Sequence, residues 1–420
     1  MNNEQKSLAP LSAADRADPF QLNLRHLRRF LTACDLGSIS AAASTLGTSQ
    51  PALTQAVLKL EIQLNRRLFE RRPRGLEVTA AGKLVHDRVS SAFAHLEEGV
   101  RAAAGNQLGF ERRLSMTHMR AFLALADCTS IVAAARHTRL SSPAIHRAIR
   151  DLEAALGRPL VERRGQGVGV NASGRRFARK CRLAVSEIEA ALSDLGLRPG
   201  EPTITLGTTP FARAFLVPEA MAALNAHGYP AGFKVLEGSW DELVETLRDG
   251  LIDLVVGEIP SRDAPDLALN ALHQEPIVIV AGRQHPLAKK RNVTVATLAS
   301  YGWIVGSQSS PLRSVWERLF EGQRPQAPIE CGSIMVIGRL LTSSNLLTLA
   351  TPDQVALQIR SGLLARIGSP LKDRHTIGTT MRKGWRPTAA QAHFLKELSR
   401  VSASMNSAEP RKALVEEKWV

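Results

Sequence analysis

The stretch from Phe30 to Gly82 returns, without a gap, as the stretch from Phe122 to Gly174. Ala41, Ala42 and Ala43 come back as Ala133, Ala134 and Ala135; Pro51 comes back as Pro143, and Leu60 and Glu61 as Leu152 and Glu153. Each pair is 92 residues apart and close to half of the aligned positions are identical, so this is a duplicated unit and not a compositional echo. No other feature constrains the chain so tightly, because whatever the first copy folds into, the second must fold into too.

Each copy reads as helix, short helix, turn, helix and hairpin. In "LRHLRRFLTACDLG" the residues Leu27, Phe30, Leu31 and Cys34 recur at helical period. Ser38 caps the short helix "ISAAASTLG" and Gly47 ends it, while its alanines let the next helix pack closely. That next helix, in "TSQPALTQAVLKLE", tolerates Pro51 because first-turn N–H groups have no intrahelical partner. Its core face is Leu53, Val57, Leu60 and Leu64, and its polar face is Gln50, Thr54, Gln55 and Lys59. "LFERRPRGLEVTAAG" then alternates towards a hairpin with Pro-Arg-Gly at its tip.

Charge separates this unit from a plain three-helix bundle. The chain of 420 residues carries a formal net charge of +15, and residues 1–200 hold 30 Lys and Arg against 18 Asp and Glu, a surplus of 12. The basic excess therefore belongs to the half with the repeat, as a polyanion-binding surface requires. A helix-turn-helix lays its second helix in the major groove, where Gln and Thr meet base edges. The hairpin, a basic wing, brings Arg71, Arg72 and Arg74 to phosphates or the minor groove.

From "FLTACDLG" to "VTAAG" the first copy resembles the winged helix-turn-helix of the LysR-type transcriptional regulators. The resemblance implies base contacts from Gln50, Pro51 and Thr54 and backbone contacts from the wing arginines. In the second copy the matching positions are Ser142, Pro143 and His146, with Arg147 beside them and Arg163 and Arg164 on the wing. There, His146 stands in place of a small hydroxyl residue and Asn171 in place of the Thr that opens the following helix. The second unit reads a different sequence or serves affinity and assembly. The family normally carries one such unit per chain, so a tandem pair is unusual.

An apolar-periodic segment follows each wing. Val85, Val89, Ala92 and Leu96 match Phe177, Cys181, Ala184 and Ile188, which continue to Leu192 and Leu195. Such seams suit helix pairing. In the family linker helices pair between subunits; here the two are expected to pair within one chain, as an internal pseudo-dimer.

"RPGEPTITLGTTPF" marks a boundary, after which short strands ("GFKVLEG", "LIDLVVGEI", "PIVIVAG", "GWIVGS", "LLTLATP", "HTIGTTM") alternate with helical patterns, an α/β reading. By resemblance this is the family's effector-binding domain, two periplasmic-binding-protein-like α/β lobes around a cleft. "GTTPFARAF" and "VGSQSSPLRSVW" each run from strand to helix through small hydroxyl residues and a proline, and ligands of open α/β sheets bind beyond strand ends, where helix N-termini favour anions. The candidate effector contacts are Thr208, Thr209, Ser307, Gln308 and Ser309, with Ser333 from "ECGSIMVIG". The resemblance implies a small effector, often a carboxylate. The turn "LLTSSNLLTLATP" departs from the family's glycine-rich pattern before the proline.

The expected organisation is a tail at 1–20, head one at 21–82, linker one at 83–110, head two at 111–174, linker two at 175–198, an effector domain at 201–401 and a tail at 402–420. Within the effector domain, lobe one is 201–278 plus 366–401 and lobe two 279–365. The cysteines Cys34, Cys128, Cys181 and Cys331 are scattered without a CxxC pair, which argues for a reducing compartment and against disulfides or zinc; Cys34 reads as a core residue. No apolar run nears ~18 residues, and the polar start lacks a signal core, so a cytoplasmic protein with no membrane partner is expected. No metalloprotease, nucleophile-elbow or phosphate-loop motif appears; "GQGVGV" falls at the second wing and reads as a turn. The expectation is a regulator and not an enzyme, with no cofactor and no metal, whose partners are double-stranded promoter or operator DNA, an effector, and further copies of itself. A nonspecific DNA-organising protein, or a solute-sensing module with relic heads, are the competing classes.

Overall fold

A computed structural model describes residues 18–406 apart from 73–74, 106–112, 129, 139, 165–166, 199–200, 230, 261, 291 and 323, and it leaves undescribed the side chains of Arg71, Arg72 and Arg164. The chain divides into two compact units, one ending at Pro202 and one beginning at Thr203.

The first unit holds both copies of the repeat. Helix α1 (Leu24–Leu36) starts at Asn23, whose side chain accepts from the Arg25 N–H, and stops at left-handed Gly37. Helix α2 (Ile39–Thr45) is capped by Ser38, and Gly47, at φ +59°, turns the chain into α3 (Gln50–Leu64), which is capped by Ser49. Strands β1 (Phe69–Arg72) and β2 (Gly75–Val78) form the antiparallel wing, and α4 (Ala80–Ala104) follows. The second copy supplies α5 (Met116–Asp127), α6 (Ile131–His137), α7 (Ser142–Leu156), β3 (Val161–Arg164), β4 (Gly167–Val170) and α8 (Ala172–Asp194). Every element boundary from Ile39 to Ala80 recurs 92 residues later. "GQGVGV" accordingly runs into β4, with Gly165 and Gln166 outside the described residues.

Three shared devices hold each wing on its head. Glu61 Oε1 accepts from the Leu68 and Phe69 N–H groups at 2.8 and 3.3 Å, and Glu153 does the same for Leu160 and Val161 at 2.7 and 3.1 Å. Thr79 caps α4 through the Gly82 N–H and donates to the Arg67 carbonyl; Asn171 caps α8 through Gly174 and donates to the Pro159 carbonyl. The Thr-to-Asn departure therefore preserves both bonds. At Gly82 and Gly174 a Cβ would lie 2.2 and 2.1 Å from a backbone oxygen, so only glycine lets the helix approach the strand. The cores differ by a compensated swap. Phe30 packs on Phe69 in the first head, and Phe122 on Phe177 in the second, where the position matching Phe69 is Val161 and the one matching Phe177 is Val85. Large and small residues have exchanged places, conserving volume.

Helices α4 and α8 pack along each other within the one chain. Gly99, late in α4, sits against Lys180, early in α8, while Arg88, early in α4, reaches Glu187 and Asp194, late in α8, so the pair is antiparallel. The apolar seam (Val85, Val89, Ala92, Leu96; Phe177, Cys181, Ala184, Ile188, Leu192) is buried throughout and continuous with the cores of the heads. Cys34 is half-buried against that core, and burial, helped by Asp35, pushes its thiol up to about 12.

The second unit is two five-stranded sheets with helices. In chain order they comprise β5 (Thr203–Thr208), α9 (Leu216–Ala226), β6 (Gly232–Glu237), α10 (Trp240–Arg248), β7 (Leu254–Glu258), β8 (Leu267–Pro276), β9 (Val278–Gly282), α11 (Val295–Ala299), β10 (Trp303–Val305), α12 (Pro311–Leu319), β11 (Ile329–Glu330), α13 (Ile334–Thr342), β12 (Leu347–Ala350), α14 (Ala356–Arg360), β13 (Leu364–Ile367), β14 (Arg374–Arg382) and α15 (Ala389–Asn406). The orders are β6-β5-β7-β14-β8 and β11-β10-β12-β9-β13. The chain crosses between sheets at Ile277 and again between Ile367 and Arg374, so the second lobe reaches a little past the expected 365. Strands β8, β11 and β13 lie outside the runs expected as strands from the sequence.

Candidate DNA-reading surface and effector cleft

On α3 the residues Gln50, Pro51, Gln55 and Lys59 are exposed and Thr54 is half-exposed, its hydroxyl donating to the Gln50 carbonyl at 3.0 Å. The opposite face, with Leu53, Ala56, Val57, Leu60 and Leu64, is buried. A polar stripe at the start of a rigid, capped helix is therefore presented outward, with Arg29 bracing the turn by donating to the Ala52 carbonyl and Thr48 hydroxyl. On α7, Pro143, His146 and Arg147 are exposed and Ser142 is half-exposed. Arg147 lies 3.8 Å from Asp151, which occupies the position of Lys59 in the first head. Arg163 is exposed at the end of β3. The backbones of Arg71, Arg72 and Arg164 lie in wing strands, their side chains are outside the described set, and Arg74 lies wholly outside the described residues.

In the second unit a cleft of about 1160 Å³ opens between the sheets. Ser307 and Ser309 line it, their hydroxyls 3.2 Å apart, whereas Gln308 points into solvent and is not among the lining residues. Ser333 stands at the start of α13, next to lining residues Gly332 and Ile334. Thr208 and Thr209 do not reach the cleft: they are 1% and 0% exposed. Thr208 ends β5 and Thr209 follows it, and Thr209 presses so closely on Gly257 that a Cβ there would meet its hydroxyl oxygen at 2.1 Å. The hydroxyl-rich strand end is the signal the sequence offers; its burial comes from the neighbouring strand.

Residues with no motif to mark them line the cleft. Arg213 pairs with Glu237 at 2.6 Å; Arg262 pairs with Asp241 and stacks over Trp240 at 4.8 Å. Glu258, at the end of β7, is buried, and that burial, against the opposing effect of the Thr209 hydroxyl, raises its pKa. His375, its ring tilted at 47° against that of Phe211, is held low by burial in the same wall. Three helix N-termini at the cleft differ in kind. That of α10 is closed by its own capping box, Ser239 with Glu242, whereas neither Ser310 before α12 nor Ser333 before α13 makes a side-chain cap bond. A cap left open is available to an anionic group. Gln354 ties the lobes together, donating to the Pro210 carbonyl at 3.3 Å. Among the described residues, His273, Glu275 and Asp353 gather ligand atoms within 4.8 Å of one another, with buried His273 Nε2 3.7 Å from Glu275 Oε1.

The comparisons with known proteins agree with this layout. The "Bacterial regulatory helix-turn-helix protein, lysR family" pattern matches residues 24–83 and again 116–175, two ranges offset by the repeat distance. The "LysR substrate binding domain" pattern matches residues 198–403. The HTH-type transcriptional regulator GalR of Pseudomonas putida is 30% identical over 370 residues, covering 86% of this chain and 93% of that protein. Among solved structures, ArgP from Mycobacterium tuberculosis superposes with a TM-score of 0.56 at 16% identity, over 68% of this chain and 96% of that one. Full-length CbnR, solved with its target DNA, gives 0.51 at 20% identity, over 69% of this chain and 100% of its own. In both, about two thirds of this chain accounts for nearly all of the other. With an effector-binding domain behind two copies of the family's reading head, the chain belongs to the LysR family of bacterial DNA-binding transcriptional regulators.

Proposed function

We propose that Gln50, Pro51, Thr54, Gln55 and Lys59 read or approach base edges in the major groove, that Ser142, Pro143, His146 and Arg147 do so from the second head, and that Arg71, Arg72, Arg74, Arg163 and Arg164 bind phosphates. The observation that carries this reading is the capped, outward-facing polar start of α3 over a fully buried opposite face. Changing Gln50→Ala costs on the order of 1–3 kcal/mol on specific duplex and relaxes sequence choice, whereas Arg72→Ala weakens all duplexes alike and flattens the salt dependence. Titration of the full chain against promoter fragments with competitor DNA across salt checks this; equal effects of the two changes on random duplex would sink it. A DNA-organising protein would lose its preference among duplexes in that experiment, whereas a regulator keeps a margin of roughly 10³ or more.

The effector is a small carboxylate held by Ser307, Ser309 and the open N-termini of α12 and α13, with Arg213 and Arg262 released from Glu237 and Asp241 to meet it. Thermal shift of the full chain against a panel of small carboxylates, repeated with Arg213→Ala, tests that assignment. The chain acts as a regulator without catalysis of its own, in the cytoplasm; no single described helix is long and apolar enough to cross a membrane. Copies associate through α13 and α14, neighbours whose Met335, Val336 and Leu357 are 74%, 49% and 76% exposed, a surface that a second chain would cover.

A further inference from the structure

We infer that one chain is a complete two-headed reader, and that its operator is a pair of unlike half-sites, one matched to α3 and the other to α7. The inference rests on the DNA-reading assignment above and concerns which heads act together and what each reads.

The pairing of α4 with α8 is specific to these two helices. Arg88, 6% exposed, is neutralised by Glu187 and Asp194. The positions matching those acids in α4 are His95 and Ala102, so two copies of α4 from different chains would bury Arg88 against neither carboxylate. A buried charge without its partner is strongly unfavourable. Lys180, the match of Arg88, pairs with Glu98, and Gly99 gives the room for its backbone-proximal carbons. Like local structure joined by an antiparallel helix pair approximates a two-fold relation. A two-fold rotation preserves direction along its axis, so under this relation the outward component of each recognition helix along the axis has the same sense in both heads. The paired residues (Arg88 with Glu187 and Asp194, Gly99 with Lys180) bring the start of α8 level with a point just past the end of α4. At ~1.5 Å per residue the starts of α4 and α8, from which the two heads hang, are offset by about 40 Å along the helix pair, of the same order as the one-turn spacing of ~34–36 Å between half-sites.

The reading faces are not copies. Gln50, Thr54, Gln55 and Lys59 on α3 stand where α7 has Ser142, His146, Arg147 and Asp151. Glutamine presents a bidentate match to adenine, arginine to guanine, and an acid accepts from cytosine. Lys59 against Asp151 reverses the charge at one position of the groove-facing surface, and Arg147, 82% exposed, is held outward beside that acid. Two such helices cannot prefer the same half-site, so the paired sites do not form a palindrome.

Selection of duplexes from a random pool by the intact chain tests this, followed by the same selection with Gln50→Ala and with Arg147→Ala. The expected result is an asymmetric motif of two unlike halves about one helical turn apart, with each change relaxing a different half by roughly tenfold or more. A palindromic motif, both halves of which respond to Gln50→Ala and neither to Arg147→Ala, would overturn the inference while leaving DNA reading intact. No enriched motif would overturn the reading assignment as well. Mixing the two variant chains separates pairing within a chain from exchange between chains. Heads paired within one chain give no recovery of the wild-type motif, and recovery would overturn the single-chain arrangement.

Discussion

Arg88 and Glu187 lie 99 residues apart in the chain and meet, buried, at 3.3 Å, with Asp194 closing the other side of the guanidinium at 2.9 Å. The contact joins two segments that also share an apolar seam and the Lys180–Glu98 pair. Removing one member strands a charge, so Arg88→Ala destabilises the first unit by about 3–5 kcal/mol. Replacing all three groups with apolar residues (Arg88→Met, Glu187→Leu, Asp194→Leu) recovers most of that loss, because packing then substitutes for a pair that was costly to desolvate. Denaturant unfolding of the full chain measures both, and a triple variant no better than Arg88→Ala would show that the acids do more than neutralise the arginine.

Gly82 and Gly174 make a matched pair of tests. In each, a Cβ would lie within 2.2 Å of the carbonyl oxygen of the residue that opens the wing, Leu68 or Leu160. Alanine at either place must push helix and strand apart, at a cost of about 1–3 kcal/mol. Gly82→Ala and Gly174→Ala are expected to lower stability by similar amounts and to weaken DNA binding through different heads. Unfolding midpoints together with binding to duplexes carrying one half-site would read the two effects separately.

The tie between head and linker is built differently in the two copies, and the difference titrates. Asp35 accepts from His86 Nε2 at 2.8 Å in the first head, whereas the matching Asp127 is held by Arg182 in the second. Burial alone would lower the His86 pKa, but the hydrogen bonds and charges of Asp35 and Asp87 outweigh it and raise it above 6.5. A raised folded-state pKa gives stability that is fully present below 6.5 and lost as pH rises through the raised value. The contribution is small because Asp35 is half exposed. Protection factors from hydrogen exchange should therefore fall in α1 relative to α5 as pH increases above neutrality, and His86→Ala should remove that pH dependence.

What the sequence disclosed follows from how local each signal is. The heads were legible because caps, small alanines, a first-turn proline and a 92-residue echo all lie within a few turns of one another. The linker seam was legible for the same reason, but Arg88 was not: one charge in an apolar stripe reads as a surface residue until its two acids arrive from the other copy. Strand β8 carries Asn270, His273, Gln274 and Glu275, poor strand formers that hold their place by pairing with β14 at the sheet edge. In the cleft, serines at a strand-to-helix turn were visible as a local pattern. Arg213 and Arg262 belong to no motif, and the burial of Thr208 and Thr209 depends on strands far along the chain.

Glu258 places a buried carboxyl in the wall of the cleft. Its carboxyl is buried, one oxygen lacks a hydrogen-bond partner, and burial raises its pKa despite the nearby Thr209 hydroxyl. A carboxylate with a raised folded-state pKa binds its proton more tightly when folded, so its ionised form opposes folding above that pKa, and the penalty vanishes below the ordinary value of 4.5. Glu258→Gln keeps the shape and removes the charge. The variant is expected to melt higher than the wild-type chain at neutral pH, and the gap should close as pH falls towards 4.5. The same change should alter affinity for a carboxylate effector, since a like charge in the cleft wall is gone; calorimetric titration at neutral and mildly acidic pH would show tighter binding in the variant, with the advantage shrinking as the wild-type Glu258 takes up its proton. A variant that melts lower at every pH would mean that the ionised carboxylate is needed to hold the cleft wall together.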